Sequence, residues 1–172
     1  MFRHKAESTP AVTETYQMQQ RMLSFGDDFW IENGLGQRAY RVNGKVFRLR
    51  KTFTLEDAEG NELLRVRSKV LRVRSSFTVE RAGTTVATLH KGMFGFRDRF
   101  TVKVADGADL KARGNILDHD YVITRDGEDI ARVSKQWIRA RDTYGVAVTK
   151  GEDVPLLLAI VVCVDALSHP DR

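Results

Sequence analysis

An aromatic residue recurs six times along this chain of 172 residues, at intervals of 24, 24, 23, 21 and 23 residues. The six are Phe29, Phe53, Phe77, Phe100, Tyr121 and Tyr144. An apolar residue stands four positions before each (Phe25, Leu49, Val73, Phe96, Leu117, Ala140) and two positions after each (Ile31, Leu55, Val79, Val102, Ile123, Val146). Even spacing is typical of β-strands, whose alternate side chains share one face. A repeat of about 23 residues accommodates two strands and two turns, so the sequence predicts hairpins in series and eleven or twelve strands.

The repeat is nearly literal in two of its units. Residues 86–102 align with residues 130–146 at a constant offset of 44, and the lysine, the Arg-Asp pair and the aromatic residue recur at matching positions. Turn residues follow the aromatic strands, at Asn33-Gly34, Glu59-Gly60-Asn61, Ala82-Gly83, Asp106-Gly107, Asp126-Gly127 and Lys150-Gly151. Gly and Asn tolerate the positive φ of tight hairpins, so these positions mark the chain reversals.

The length of the chain favours a single domain with one core. We expect residues 1–15 to form a flexible arm, because they lack strand alternation, and residues 16–172 to form the β-barrel domain. No apolar run follows the basic start, which argues against a signal peptide. The one cysteine, Cys163, excludes an internal disulfide and favours a reducing, cytoplasmic location.

The last hairpin lacks its second strand, and an apolar segment takes its place. Residues 154–164 contain no polar side chain. Asp153 can cap a helix and Pro155 suits a first turn, so we predict a helix over about 153–167. A seventh apolar strand is the alternative, because the segment contains several β-branched residues. The run is too short to span a bilayer and needs burial on every side, which a closed barrel of about twelve strands would provide.

Several segments of the chain resemble the LURP-one-related family. They are the hairpin repeat, the stretch 114–121 (GNILDHDY), the stretch 133–137 (VSKQW) leading to 141–146 (RDTYGV), and the terminal segment 156–165. The similarity covers residues 16–167 and is strongest to small bacterial members. The resemblance implies a fold similar to tubby C-terminal domains and phospholipid scramblases, a twelve-stranded barrel around a hydrophobic C-terminal helix. It implies no specific activity, although tubby domains bind phosphoinositides.

The predicted outer face of the strands is rich in arginine. Positions five and three before each aromatic residue alternate with the apolar set, and seven of these twelve positions are arginine. We expect a contiguous patch from Arg48, Arg50, Arg72, Arg74 and Arg97, extended by Arg65, Arg67 and Lys69. Arginine binds phosphate in a bidentate manner, so the patch is a candidate site for anions or lipid headgroups. The alternative is a solvated face paired with Glu56, Asp57, Glu62 and Glu80. In the fifth unit these two positions are Ile116 and Asp118, so both are predicted to lie on the same outer face.

The other candidate residues favour structural roles. Asp118 and Asp120 would point away from His119 in an extended strand, which argues against a metal site. Cys163 lies inside the apolar helix, where nothing lowers its pKa, so we expect packing rather than nucleophilic chemistry. Asp153 and Asp165 are expected to anchor the two ends of the helix, Asp165 by accepting hydrogen bonds from the barrel wall. No phosphate loop, nucleophile elbow or catalytic carboxylate pair is present, so we expect neither catalysis nor a cofactor.

The sequence therefore predicts a non-enzymatic binding module. Its expected partner is an anionic membrane surface or a phosphorylated headgroup, reached by the arginine patch. A protein-interaction or stress-associated scaffold with no lipid ligand is the alternative. The patch has few aromatic residues on which bases could stack, which argues against nucleic acid. We expect a cytoplasmic protein, peripheral at the inner membrane face and neither transmembrane nor secreted.

Overall fold

The computed structural model describes residues 11–19, 28–44, 52–70, 75–92, 99–135 and 143–168. These residues form twelve β-strands followed by one α-helix. The strands are β1 Thr13–Gln19, β2 Phe29–Asn33, β3 Arg38–Asn43, β4 Thr52–Asp57, β5 Glu62–Val70, β6 Ser75–Arg81, β7 Thr84–Lys91, β8 Phe100–Val104, β9 Leu110–Asn115, β10 Asp120–Arg125, β11 Glu128–Ser134 and β12 Thr143–Thr149. The helix, α1, spans Val154–Ser168.

The twelve strands form one closed antiparallel barrel in which each strand pairs with its neighbours in the chain. The barrel closes between the first strand and the last, where β1 pairs with β12 from Thr13 opposite Thr149 to Gln19 opposite Thr143. The other side of β1 pairs with β2. Closure leaves no exposed sheet edge among the described strands. The predicted twelve-stranded barrel is confirmed.

The repeating aromatic residues all point into the barrel. The six of them, and the six apolar residues two positions further on, are buried. Strand alternation explains this, because residues two apart lie on the same face of the wall. Of the apolar residues four positions earlier, those at 25, 49, 73, 96 and 140 lie outside the described residues.

The fifth repeat departs from the predicted alternation. Leu117, predicted to point inward, is 55% exposed, whereas Ile116, predicted to point outward, is only 3% exposed. Residues 116–119 form a turn between β9 and β10 rather than a strand, so the period of two does not apply to them. Asp118 is exposed as predicted. The assignment of Ile116 to the outer face was therefore wrong.

Two tight hairpin turns contain residues with positive φ, as their sequences predict. The β6–β7 turn has φ of 49° at Ala82 and 80° at Gly83. The β10–β11 turn has φ of 51° at Asp126 and 84° at Gly127. Two successive residues with positive φ match the right-handed twist of the flanking strands. These two turns lie at the same end of the barrel, where α1 also begins, and we call it the hairpin end. We call the opposite end, which carries the β9–β10 turn, the far end.

The helix lies inside the barrel, and its first eleven residues have no polar side chain. Residues 156–165 are all buried, which is the environment that a helix apolar on every face requires. The predicted central helix is confirmed, with bounds one residue later than expected. Within the described residues, no helix combines the length and the apolar composition needed to cross a lipid bilayer.

The predicted N-terminal arm overlaps the first strand. β1 begins at Thr13, so residues 13–15 belong to the wall and not to an arm ending at residue 15. Their side chains are exposed, which is why the sequence there shows no apolar alternation. Residues 1–10 lie outside the described residues.

Candidate functional site

The outer side of strands β5 to β9, which we call the β5–β9 outer face, carries the candidate binding residues that the structure describes. On β5, the alternate residues Leu64 and Val66 are buried, so Arg65, Arg67 and Lys69 point outward. Cations on β8 and β9 (Lys103, Lys111 and Arg113) are also exposed. The described strands of this face therefore present six cationic side chains, Arg65, Arg67, Lys69, Lys103, Lys111 and Arg113.

Acidic side chains on this face lie towards the hairpin end. Arg65 pairs with Glu62 at 2.8 Å and Arg67 pairs with Glu80 at 3.4 Å. Lys103 pairs with Asp109 at 2.9 Å. Three of the six cations are thus partly neutralised, while Lys69, Lys111 and Arg113 form no ion pair within the described residues. Positive charge is concentrated in the half of the face nearer the far end.

A row of five polar residues crosses this half from strand to strand. Cross-strand pairing places Lys69 opposite Ser76, Ser76 opposite His90, His90 opposite Thr101, and Thr101 opposite Lys111. We call these five residues the lysine–hydroxyl row. A lysine stands at each end, and two hydroxyls flank an imidazole at the centre. No acidic residue belongs to the row.

Within the part of the chain that the structure describes, the side chains of the row form no direct polar contact. None of the five forms a side-chain hydrogen bond or ion pair with another described residue. Ser76 is only 4% exposed, so its side chain is covered although it lies on the outer side of the wall. Next to the row lie Thr78, which is also buried, and Thr88.

The predicted arginine patch is only partly described. Arg48, Arg50, Arg72, Arg74 and Arg97 lie outside the described residues. The structure shows Arg65 and Arg67 on the expected face but in ion pairs with Glu62 and Glu80, as the alternative interpretation expected. Lys69 belongs to the lysine–hydroxyl row. Sequence reasoning missed Ser76, His90, Thr101 and Lys111, because only the strand register brings them together.

The start of α1 is attached to the wall by residues at the hairpin end. Asp153 Oδ1 accepts a hydrogen bond from the backbone N–H of Leu156 at 3.2 Å, which caps the helix. Its other carboxylate oxygen pairs with Arg81 at 2.7 Å. Glu152 pairs with Arg125 at 2.9 Å. Both ion pairs are partly exposed to solvent.

The end of α1 is attached at the far end by a buried pair. His119 Nε2 and Asp165 Oδ1 lie 2.7 Å apart, and both side chains are about 95% buried or more. The imidazole stacks on the ring of Tyr144, with centroids 4.3 Å apart. His119 has φ of 51°, which directs its side chain into the barrel, whereas Leu117 and Asp118 in the same turn are exposed. The sequence predicted a wall partner for Asp165 but did not identify His119.

Burial controls the ionisation of the groups around this pair. Desolvation raises the pKa of Tyr121 and of Tyr144 well above 10.0, and the nearby Asp165 carboxylate raises both further. Burial alone raises the pKa of the Cys163 thiol. All three groups are neutral at pH 7, so Cys163 offers no thiolate for nucleophilic chemistry. The interior polar groups therefore favour a structural role over a catalytic one.

The fold is a closed twelve-stranded barrel filled by a C-terminal helix, and its candidate site is a cationic outer face of that barrel. The family model of LURP-one-related proteins matches residues 14–165. The chain belongs to the LURP-one-related family, which confirms the resemblance seen in the sequence. It is 26% identical over 156 residues to the uncharacterised protein YxjI of Bacillus subtilis, covering 90% of this chain and 94% of that protein.

A solved structure supports the same fold. The X-ray structure of a protein from Arabidopsis thaliana is similar with a TM-score of 0.67 and covers 91% of this chain and 93% of the plant chain. The two sequences are 19% identical. At that level of identity the likeness concerns the fold alone.

Proposed function

We propose that this protein is a non-enzymatic binding module that docks on the anionic surface of a lipid bilayer through its β5–β9 outer face. The lysine–hydroxyl row carries the proposal, because it combines two exposed lysines that form no ion pair among the described residues with the half-buried side chains of His90 and Thr101, and it contains no acidic residue. Such groups gain most from an external anion. The anionic lipids of the cytoplasmic leaflet would provide one, at the inner face of the membrane.

The charge on this face suits weak and reversible docking. Each basic residue near an anionic bilayer contributes about 1 kcal/mol of attraction. Lys69, Lys111 and Arg113, with no ion pair among the described residues, would together contribute roughly 3 kcal/mol at low salt. The attraction falls within a Debye length of about 8 Å at physiological salt. Binding should therefore weaken strongly as salt rises.

Vesicle co-sedimentation tests the proposal. Vesicles of phosphatidylcholine with phosphatidylglycerol should bind the protein at low salt, and pure phosphatidylcholine should not. The double variant Lys69→Glu/Lys111→Glu should reduce binding at least tenfold, since it removes two attractions and adds two repulsions.

A matched control makes the same change of net charge elsewhere. Arg38→Glu/Lys150→Glu alters two exposed residues at the hairpin end, away from the row, and should bind nearly as well as the unmodified protein. Absence of binding by the unmodified protein at low salt would refute the membrane proposal. An equal loss of binding in both double variants would show that binding depends only on net charge. That result would also contradict the proposal. Either result would favour a protein-interaction scaffold.

A further inference from the structure

We infer that docking on the bilayer is coupled to the uptake of a proton by His90, so that the β5–β9 outer face binds anionic membranes more tightly as the pH falls from 8 to 5.5. The inference rests on the proposed function and adds its regulation. His90 lies at the centre of the lysine–hydroxyl row, between Ser76 on β6 and Thr101 on β8. Histidine is the residue type whose charge ordinarily changes between pH 5 and 8.

The outward side chains next to His90 are all neutral or cationic. They come from its own strand and from the two strands that pair with it: Thr88 on β7, Ser76 and Thr78 on β6, and Thr101 and Lys103 on β8. Arg99, which precedes β8 and is exposed, adds a further cation and forms no ion pair among the described residues. Lys91 alternates to the inner side of the wall, since it lies opposite the buried Phe100. In the described part of the chain, His90 therefore has no acidic neighbour on this face.

The nearest described carboxylates on this face are distant and already paired. Strand geometry places Asp109 and Glu80 each roughly 12–14 Å from His90. Asp109 pairs with Lys103, and Glu80 pairs with Arg67. A protonated imidazole at this position thus lies among cations and lacks a counter-charge within the described protein.

An anionic bilayer supplies the counter-charge that the protein lacks. Neighbouring cations disfavour the protonation of an imidazole, and a nearby negative surface favours it. His90 lies midway between Lys69 and Lys111, roughly 10 Å from each, so a surface that attracts the two lysines also acts on His90. The attraction extends over a Debye length of about 10 Å at 0.1 M salt, so no contact between a headgroup and the half-buried ring is needed.

The direction of the effect follows from linkage. Because the bilayer binds the protonated form more tightly, docking takes up a proton, and lowering the pH strengthens docking by the same coupling. With a neutral imidazole the attraction is that of the lysines and Arg113 alone, and a charged imidazole adds one positive charge to them. One added positive charge strengthens binding about fivefold, which is the attraction per basic residue converted to a ratio of affinities.

Substitution of the histidines in separate variants distinguishes His90 from the others. The chain has four histidines, of which His119 is buried against Asp165, and His4 and His169 lie outside the described residues. The test variant is His90→Gln, which keeps a polar side chain but cannot take up the proton, and the matched control is His4→Gln/His169→Gln. Binding is measured between pH 5.5 and 8, at constant low ionic strength, on vesicles of phosphatidylcholine with phosphatidylglycerol. The phosphodiester of phosphatidylglycerol keeps one negative charge over this range.

The unmodified protein should bind these vesicles about fivefold more tightly at pH 5.5 than at pH 8. His90→Gln should bind at pH 8 as the unmodified protein does and should gain less than about twofold on acidification, whereas the control should keep the fivefold gain. His90→Lys is a second test variant. Its permanent charge should give the tighter binding already at pH 8, with little change as the pH falls.

Two results would overturn the inference while leaving the proposed function intact. One is binding of the unmodified protein to the anionic vesicles that does not change between pH 5.5 and 8. The other is a gain on acidification in His90→Gln or His90→Lys that equals the gain of the unmodified protein, with the variant shown to be folded by its thermal transition. Absence of binding at every pH in this range would refute the proposed function and the inference together.

Discussion

The two ends of the central helix are held in opposite ways. At the hairpin end, Asp153 and Glu152 pair with Arg81 and Arg125, and all four side chains retain access to solvent. At the far end, His119 and Asp165 meet in the barrel interior, where their side chains are 3% and 5% exposed. Both attachments join the helix to the wall with contacts of similar length.

Burial decides how much each attachment contributes to stability. Exposed ion pairs stabilise a protein by roughly 0–1 kcal/mol, because water solvates the separated charges nearly as well. A buried pair gains little over apolar packing, but removing one partner leaves the other in a poorly solvated interior and costs about 3–5 kcal/mol. The hairpin end should therefore tolerate substitution, whereas the far end should not. The buried pair also defines where the helix must stop within the barrel, since no other depth brings His119 and Asp165 together.

Asp165→Ala tests this contrast with the largest expected effect. It leaves the His119 imidazole buried without its carboxylate, and we expect the free energy of unfolding to fall by about 3–5 kcal/mol. Arg81→Ala is the matched control at the other end and should lower it by less than about 1 kcal/mol. Chemical denaturation measures both. Similar losses in the two variants would show that the ends do not differ as proposed.

Gly114, in β9 just before the turn that carries His119, should also be sensitive to substitution. Gly114 has φ of 135°, and an added Cβ would lie 2.7 Å from the carbonyl oxygen of Asp120 and 2.8 Å from Cα of Tyr121. Both contacts are with backbone atoms that cannot move aside. Gly114→Ala should therefore lower the free energy of unfolding by about 2–3 kcal/mol, combining the strained φ with the clash.

Gly60→Ala provides the comparison for that substitution. Gly60 also has positive φ, at 91°, but nothing lies within 4 Å of an added Cβ in its hairpin-end turn. Its replacement should cost only about 1 kcal/mol of conformational strain. If thermal unfolding gives the same loss for both glycines, the crowding at the far end does not affect stability.

Alkaline pH should weaken the far end through its buried tyrosines. The folded state holds the pKa of Tyr144 well above 10.0, whereas the unfolded chain releases this proton near the usual value. Stability is therefore unaffected below about pH 9 and falls as pH rises through 10, by up to about 1.4 kcal/mol per pH unit for each such group. The same sign holds for Tyr121 and Cys163.

Tyr144→Phe isolates one of these contributions. The Tyr144 hydroxyl is buried and has no hydrogen-bond partner in the described part of the chain, so its removal should change stability little at pH 7. Above pH 10 the variant should lose stability less steeply than the unmodified protein, by about 1.4 kcal/mol per pH unit. Denaturation curves between pH 7 and 11 give this slope, and parallel slopes would contradict the assignment.

The barrel and its filling were predictable because their patterns are local. Phe53 and Leu55 alternate with polar neighbours within a few residues, and the fixed period repeats that pattern around the wall. Asp153, Pro155 and the apolar run after them predicted the start of the helix from adjacent positions. The same reasoning failed at Ile116, because four residues of turn interrupt the alternation there.

The candidate site was less predictable, because it depends on pairing between strands. Charge on the outer face could be read from alternation, and it located Lys69. Whether Arg65 and Arg67 are available for a ligand depends on Glu62 and Glu80, which the register brings within ion-pair distance. Irregularities such as the register shift at Val79/Glu80 change which residues face each other, and local sequence does not specify them.

By itself, the sequence determined that hairpins close into a wall and that an apolar helix must lie inside it, since hydrophobic periodicity is carried by neighbouring residues. Only the tertiary structure decided which polar groups meet. His119 and Asp165 are 46 positions apart, and the lysine–hydroxyl row draws one residue from each of five strands. Such contacts depend on strand register and on turn conformations like the positive φ of His119. Both arise only once the whole barrel has closed.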